Sequence, residues 1–218
     1  MFSRKKTTTQ ATTNSLPGRQ DEISISGVHA VNQSSMKPPF PEGSEVISFG
    51  MGCFWGSERI FWKLPGVITT AVGYQGGNTP NPSYEEVCSG RTGHAEVALV
   101  VYDPTQISLD VILKSFWEQH DPTTLNRQGN DRGTQYRSAI YWTTEEQRDI
   151  AVASKDAYQA GLAESGFGGI TTEIAQAGPF YYAEEYHQQY LFKNPGGYCN
   201  HGFCQIEYPA DMSKEAAE

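Results

Sequence analysis

From Glu45 onward the apolar positions switch between a period of two and a period near 3.6, and each switch marks an element. Val46-Ile47-Ser48-Phe49 predicts a strand at 45–50, followed by a helix near 53–63 that Pro65-Gly66 stops. A second strand is predicted from Val67 to Tyr74. The loop from Gly76 to Pro82 is rich in Gly, Pro and Asn and leads into a short helical turn, Tyr84 to Cys88. Over 94–102, Ala95, Val97, Leu99 and Val101 alternate with Glu96, Ala98 and Val100, which predicts a third strand with Glu96 on an exposed face. The most regular helical stripe is Leu109, Ile112, Leu113, Phe116 and Trp117, with Ser108 as its cap. After a polar loop from Asp121 to Gln135 comes a strand at 136–142. Thr143 and Glu146 have the spacing of a capping box and open a long helix to about Ala163. A strand near 171–175 and a helix over 184–191 complete the ordered part.

Strand–helix–strand, taken twice, is the order of the split βαβ unit. The expected fold is therefore α+β: a ferredoxin-like two-layer α/β sandwich with a central mixed sheet, extra C-terminal elements and a long coil tail. Residues 1–43 are polar and carry scattered prolines. They read as an N-terminal extension, with about the first fifteen residues disordered and the rest extended on the surface. Residues 44–208 read as one domain, and 209–218 as a disordered C-terminus. Gly196, Gly197 and Gly202 predict a mobile arm from Asn194 onward.

A net charge of −9 without long acidic runs lacks the basic face that nucleic acid requires. No apolar run approaches the ~20 residues that cross a bilayer. Arg4, Lys5 and Lys6 are followed by polar Thr and Gln, where a signal peptide needs an apolar core. The composition before Asp21 suits a transit peptide, but no helical apolar stripe accompanies it. The expectation is a cytoplasmic protein, a monomer, that contacts neither membrane nor nucleic acid and whose four cysteines are not structural disulfides.

Those cysteines are unevenly placed. Cys53 sits between glycines at a helix start, where unpaired N–H groups and the dipole would lower the thiol pKa. Cys88, on a short amphipathic turn, reads as a packed core thiol. Cys199 and Cys204 lie on the glycine-rich arm and can reach Cys53, because loop-closure cost grows slowly with length. A reactive thiol with others in reach suits chemistry that passes through a sulfenic acid. Two other readings stand beside it. One is a cysteine hydrolase or amidotransferase using Cys53 with His94 or His187 as base. The other is a zinc-binding module on the tail, with His201 between Cys199 and Cys204, although that spacing is uncommon for zinc and no fourth ligand lies nearby.

Gly50-Met51-Gly52-Cys53-Phe54-Trp55-Gly56 resembles the active-site signature of the peptide methionine sulfoxide reductase A family. The likeness continues in Gly73-Tyr74, Asn81-Pro82-Ser83-Tyr84, Thr92-Gly93-His94-Ala95-Glu96 and Gln128-Gly129-Asn130-Asp131. It runs on through Gly133-Thr134-Gln135-Tyr136-Arg137-Ser138 and Tyr186-His187-Gln188-Gln189-Tyr190-Leu191, and spans about residues 44 to 204. Leu16-Pro17-Gly18-Arg19 and His29-Ala30-Val31-Asn32 resemble the extension of longer members.

The resemblance implies reduction of methionine-S-sulfoxide, free and in proteins, with no metal and no cofactor, and with thioredoxin as the external reductant and partner. It makes Cys53 the nucleophile, and Glu96 the acid that hydrogen-bonds the sulfoxide oxygen. Tyr84 and Tyr136 would be further donors to that oxygen, and Asp131 the holder of the polar network. Phe54 and Trp55 would be the wall for the substrate's methyl. Cys199 would resolve the sulfenic acid, and Cys204 would attack Cys199 in turn. The Asn200-His201-Gly202-Phe203 spacer is shorter than in some three-cysteine members, which bears on the Cys204 step.

Overall fold

The computed structural model describes residues 15–198 and 206–209. Cys199, His201 and Cys204, with everything expected of them, lie outside the described residues. The strands are β1 (Glu45–Met51), β2 (Val67–Gln75), β3 (Ala95–Tyr102), β4 (Arg127–Gln128), β5 (Asp131–Arg132), β6 (Ser138–Trp142), β7 (Glu173–Gln176) and β8 (Tyr181–Tyr182). The helices are α1 (Phe54–Phe61), α2 (Tyr84–Cys88), α3 (Leu109–Glu118), α4 (Glu145–Glu164) and α5 (Tyr190–Lys193). Six strands form one sheet in the order β7-β6-β1-β3-β2-β8, while β4 and β5 make a separate small hairpin. Every neighbouring pair in the large sheet is antiparallel except β6 and β7, so the sheet is mixed, as expected.

The main core lies between that sheet and α1, α3 and α4. Phe49 stacks on Phe61 at 4.8 Å and meets Phe116 at 5.3 Å. Trp117, Ile140, Tyr158 and Leu162 continue the cluster. Truncating Phe49 to Ala here would cost about 3–5 kcal/mol through lost transfer energy and a cavity. The opposite face is covered as well. Ala95 and Val97 pack with Ala139 and Tyr141 under Ala177 and Phe180. β3 is therefore buried along its whole length, and its alternation separates two covered faces rather than core from water. Glu96 is 1% exposed, not the surface residue the pattern predicts.

Local differences from the sequence reading have tertiary causes. Ser108 occupies the N-cap position of α3 but makes no side-chain cap bond. The cap of α4 is Thr144, which accepts from Gln147 N, so the start lies one residue later than Thr143/Glu146 implies. Thr143 instead donates its hydroxyl to Val46 O at 2.8 Å and its N–H to Gln147 Oε1. The helix expected over 184–191 is a turn through Gln189 followed by α5. Gln188 pairs its amide with both backbone groups of Val72, at 2.9 Å each. Gln189 takes a left-handed conformation while its N–H donates to the buried Glu58 carboxyl at 2.8 Å. These bonds to β2 and α1 outcompete local helix formation.

Residues 194–198, where the arm is expected to begin, make the local bonds Asn194 N→Tyr190 O and Gly197 N→Asn194 O. The described part of the extension makes hydrogen bonds to the domain and buries His29 and Met36. Thr79 donates to Leu16 O, Arg19 N donates to Pro80 O, and Arg19 Nη2 pairs with Glu86 at 3.0 Å. Ala30 N donates to Gln189 Oε1, and the Tyr182 phenol donates to Met36 O. Among the described residues no helix is long and apolar enough to cross a membrane.

Candidate active site

β1 delivers Cys53 to the N-cap of α1 through Gly52, whose φ is +88°. A Cβ on Gly52 would lie 2.5 Å from Gln128 Cβ, so only glycine lets the 121–133 loop close over the helix start. Gln128 pins that loop by exchanging hydrogen bonds with Asp121 N and O, which places Asp131 above Cys53.

One cavity of about 210 Å³ is lined by Cys53, Phe54, Trp55, Tyr84, Glu96, Asp131 and Tyr136, so seven residues named from the sequence meet at one place. Tyr198 lines it too and hydrogen-bonds Asp131 Oδ1 at 3.2 Å. Sequence reading missed Tyr198, whose single signal is its place beside Cys199.

The electrostatics differ from expectation at the thiol. Cys53 is 7% exposed, and burial raises its pKa; the Glu96 and Asp131 carboxylates add to the rise. N–H groups of Trp55 and Gly56 pull the other way, as a helix start should, but burial outweighs them. Burial therefore favours the thiol over the thiolate at Cys53. Glu96 is pushed up to about 8 by burial, against the N–H of Phe54, which donates to Oε2 at 3.1 Å. Asp131 is also raised, by burial first. Burial likewise raises Tyr84 and Tyr136, and both phenols feel Glu96. The cavity thus sets the Glu96 carboxyl and the Tyr84 and Tyr136 phenols around one thiol, with Phe54 and Trp55 beside it.

Cys88 is exposed rather than packed, because Val87 is the buried residue of the five-residue α2; its thiol hydrogen-bonds the Tyr84 phenol. Neither histidine serves as a base for Cys53. The His94 ring donates from Nε2 to Thr79 O at 2.7 Å, and its Nδ1 lone pair accepts from Gly77 N at 3.0 Å. The His187 Nδ1 lone pair accepts from the Trp55 indole at 2.9 Å. With both lone pairs occupied by N–H donors, the hydrolase arrangement has no general base.

A buried thiol among a carboxyl, two phenols and two aromatic side chains, with no free histidine base beside it, fits a cysteine-dependent oxidoreductase better than an acyl-transfer enzyme. Residues 45–216 match the family described as Peptide methionine sulfoxide reductase. The chain is 61% identical, over 89% of its length and 89% of the relative's, to the peptide methionine sulfoxide reductase MsrA of Rhodospirillum centenum. Its structure resembles methionine sulfoxide reductase A of Corynebacterium diphtheriae at TM-score 0.80 and 46% identity, covering 88% of this chain and 96% of that one. Mxr1 of Saccharomyces cerevisiae in complex with Trx2 shares the fold at TM-score 0.51 and 23% identity, over 78% of this chain and 96% of that one. The chain belongs to the peptide methionine sulfoxide reductase A family. Its reaction is the thiol-dependent reduction of peptide methionine-(S)-S-sulfoxide.

Proposed function

We propose that Cys53 is the nucleophile and Glu96 the proton donor of this reduction. The observation that carries the assignment is a fully buried carboxyl, its pKa near 8, bonded to the residue directly after the thiol and opening into the same cavity. A sulfoxide oxygen is a poor leaving group until a donor stabilises the charge it gains. Glu96, Tyr84 and Tyr136 supply such donors, while Phe54 and Trp55 receive the methyl group and Asp131 holds the polar network. Sγ bonds to the substrate sulfur as the sulfoxide oxygen is protonated, the sulfur–oxygen bond breaks, and the oxygen passes to Cys53 as S–OH while the Sγ–sulfur bond breaks to release the thioether. The thiol and the sulfoxide enter, the sulfenic acid and the thioether leave, and the proton count is unchanged.

Cys199 then displaces water from the sulfenic acid to form a disulfide with Cys53, and Cys204 attacks Cys199 to free it. A dithiol reductant closes the cycle. We take thioredoxin as that reductant; yeast Mxr1, of the same fold, has been captured with Trx2. Residues 44–208 act as the single catalytic reductase domain and 1–43 as its extension. The finer architecture is ferredoxin-like, supported by the central order β6-β1-β3-β2 with α1 and α3 as crossovers.

Turnover of a peptide methionine-S-sulfoxide with dithiothreitol, and then with thioredoxin, tests the scheme. Both should support wild type and neither should support Cys53→Ser. Cys204→Ser should slow the thioredoxin reaction more than the dithiothreitol one; equal slowing would remove Cys204 from the relay.

A further inference from the structure

Two walls of the cavity share a buried support that the chemistry above leaves unused. His187, 1% exposed, sits on the turn between β8 and α5. Its ring packs against three cavity aromatics, with centroids 4.7 Å from Tyr84, 5.0 Å from Phe54 and 5.6 Å from Trp55. The indole nitrogen of Trp55 only donates, so the His187 Nδ1 that accepts from it carries no proton. The neutral ring therefore holds its proton on Nε2. That atom is buried without a hydrogen-bond partner among the described residues and faces Glu184 Oε2 at 3.8 Å. Burial lowers His187 to about 4, in keeping with a neutral ring.

Glu184 reaches the other wall. Its Oε1 accepts from the Tyr84 backbone N–H at 2.9 Å, and its Oε2 from the Tyr74 phenol at 2.9 Å. The face of Trp55 is covered by Tyr190 at 3.8 Å and 17°.

We propose that Glu184 and His187 form a positioning relay for the cavity walls, in which Glu184 anchors the Tyr84 backbone and faces His187 Nε2 at 3.8 Å, and His187 fixes the in-plane rotation of Trp55. Stacking on Tyr190 alone leaves the indole free to slide in its plane; an acceptor at its edge removes that freedom. Neither residue touches the substrate. By holding the indole, the relay sets how large a substituent on the sulfoxide sulfur is accepted. This rests on the reading of Trp55 as the methyl-receiving wall.

The test compares N-acetyl-methionine sulfoxide with N-acetyl-ethionine sulfoxide as substrates, with dithiothreitol as reductant. His187→Phe keeps the ring and removes the acceptor. It should raise KM for the methyl substrate about tenfold, the worth of one buried hydrogen bond, change kcat much less, and narrow the methyl-over-ethyl preference. His187→Asn places a carbonyl oxygen where Nδ1 was and should recover most of the loss, whereas His187→Gln places it at the Nε2 distance and should not. An unchanged His187→Phe enzyme, or Asn and Gln variants that behave alike, overturns the relay. Should the Phe variant fail to fold, the Asn–Gln pair decides alone. Trp55→Phe is the control: if it leaves the preference at the wild-type value, the wall reading itself falls. If it shifts the preference while His187→Phe does not, the relay alone falls.

Discussion

A carboxyl that keeps its proton near neutral pH is made by position, and Glu96 is the one acidic side chain of a strand covered on both faces. Burial disfavours its charged form, and the nearby Asp131 carboxylate adds to the effect. The raised pKa has a readable sign: the donor is present below about 8 and is lost as pH rises above it. An amide at this position donates at every pH. The ratio of wild-type to Glu96→Gln rates of methionine formation, measured in a single turnover without reductant, should therefore be constant below pH 8. It should fall as pH rises above that value, because the wild-type carboxyl loses its proton and its charge then also holds the Cys53 thiol protonated, neither of which happens with the amide. A ratio independent of pH would remove Glu96 as the donor. Glu96→Ala, with no donor at all, should lose about 10²–10³ in rate. Residue identities at this site were legible in the sequence because they sit in contiguous blocks. Their environments were not. Alternation along 94–102 cannot tell water from a second covering layer, and a helix start at Cys53 says nothing of the burial that overrides it.

At the scale of elements, α1 presents Cys53 at its front and carries Glu58 one turn behind, fully buried. Glu58 accepts from Thr70 Oγ1, Gln189 N and Gln189 Nε2, joining α1 to β2 and to the turn before α5. Burial raises Glu58 to about 7. In the unfolded chain the group ionises near 4.5, so between 4.5 and 7 the unfolded state releases its proton first and stability drains away as pH rises. The cost levels off above 7 at about 3 kcal/mol. Glu58→Gln escapes it. In urea unfolding the stability difference between Glu58→Gln and wild type should move by about that amount in the variant's favour from pH 4.5 to pH 8. A difference that ignores pH would mean the carboxyl is not held as described. β1 and β2 were legible as short apolar runs, buried on both faces over most of their length, α2 from the turn signals before it and α3 from its single buried face. The turn through Gln189 was illegible because its shape comes from bonds to residues more than a hundred positions away.

On the scale of the whole molecule, residues 15–36 join the segment that carries the cavity residue Tyr84 to the turn that bears His187. Arg19 pairs with Glu86 of α2, the helix that Tyr84 opens, and hydrogen-bonds Asn81 before it. Ser26 and Ala30 donate to Glu185 and Gln189 on the turn that bears His187. These contacts are mostly exposed and individually weak, and their effect is on local opening rather than on global stability. In Arg19→Ala, amide hydrogen exchange should quicken a few-fold over 81–88 and stay unchanged in β3. Uniform change, or none, would deny the extension that role. No apolar period announces such a segment, so the sequence offered only its likeness to longer relatives.

The bond from Gln189 Nε2 to Met36 Sδ, at 3.2 Å, belongs to the same buried junction, and Met51 ends β1 two residues before Cys53. Both methionines are 0% exposed. Peroxide therefore finds neither thioether at the surface of the described residues, and the sulfur of Met36 already shares electron density with an amide N–H. In the folded state, then, these two methionines are shielded by burial from the oxidation that produces methionine sulfoxide at exposed positions.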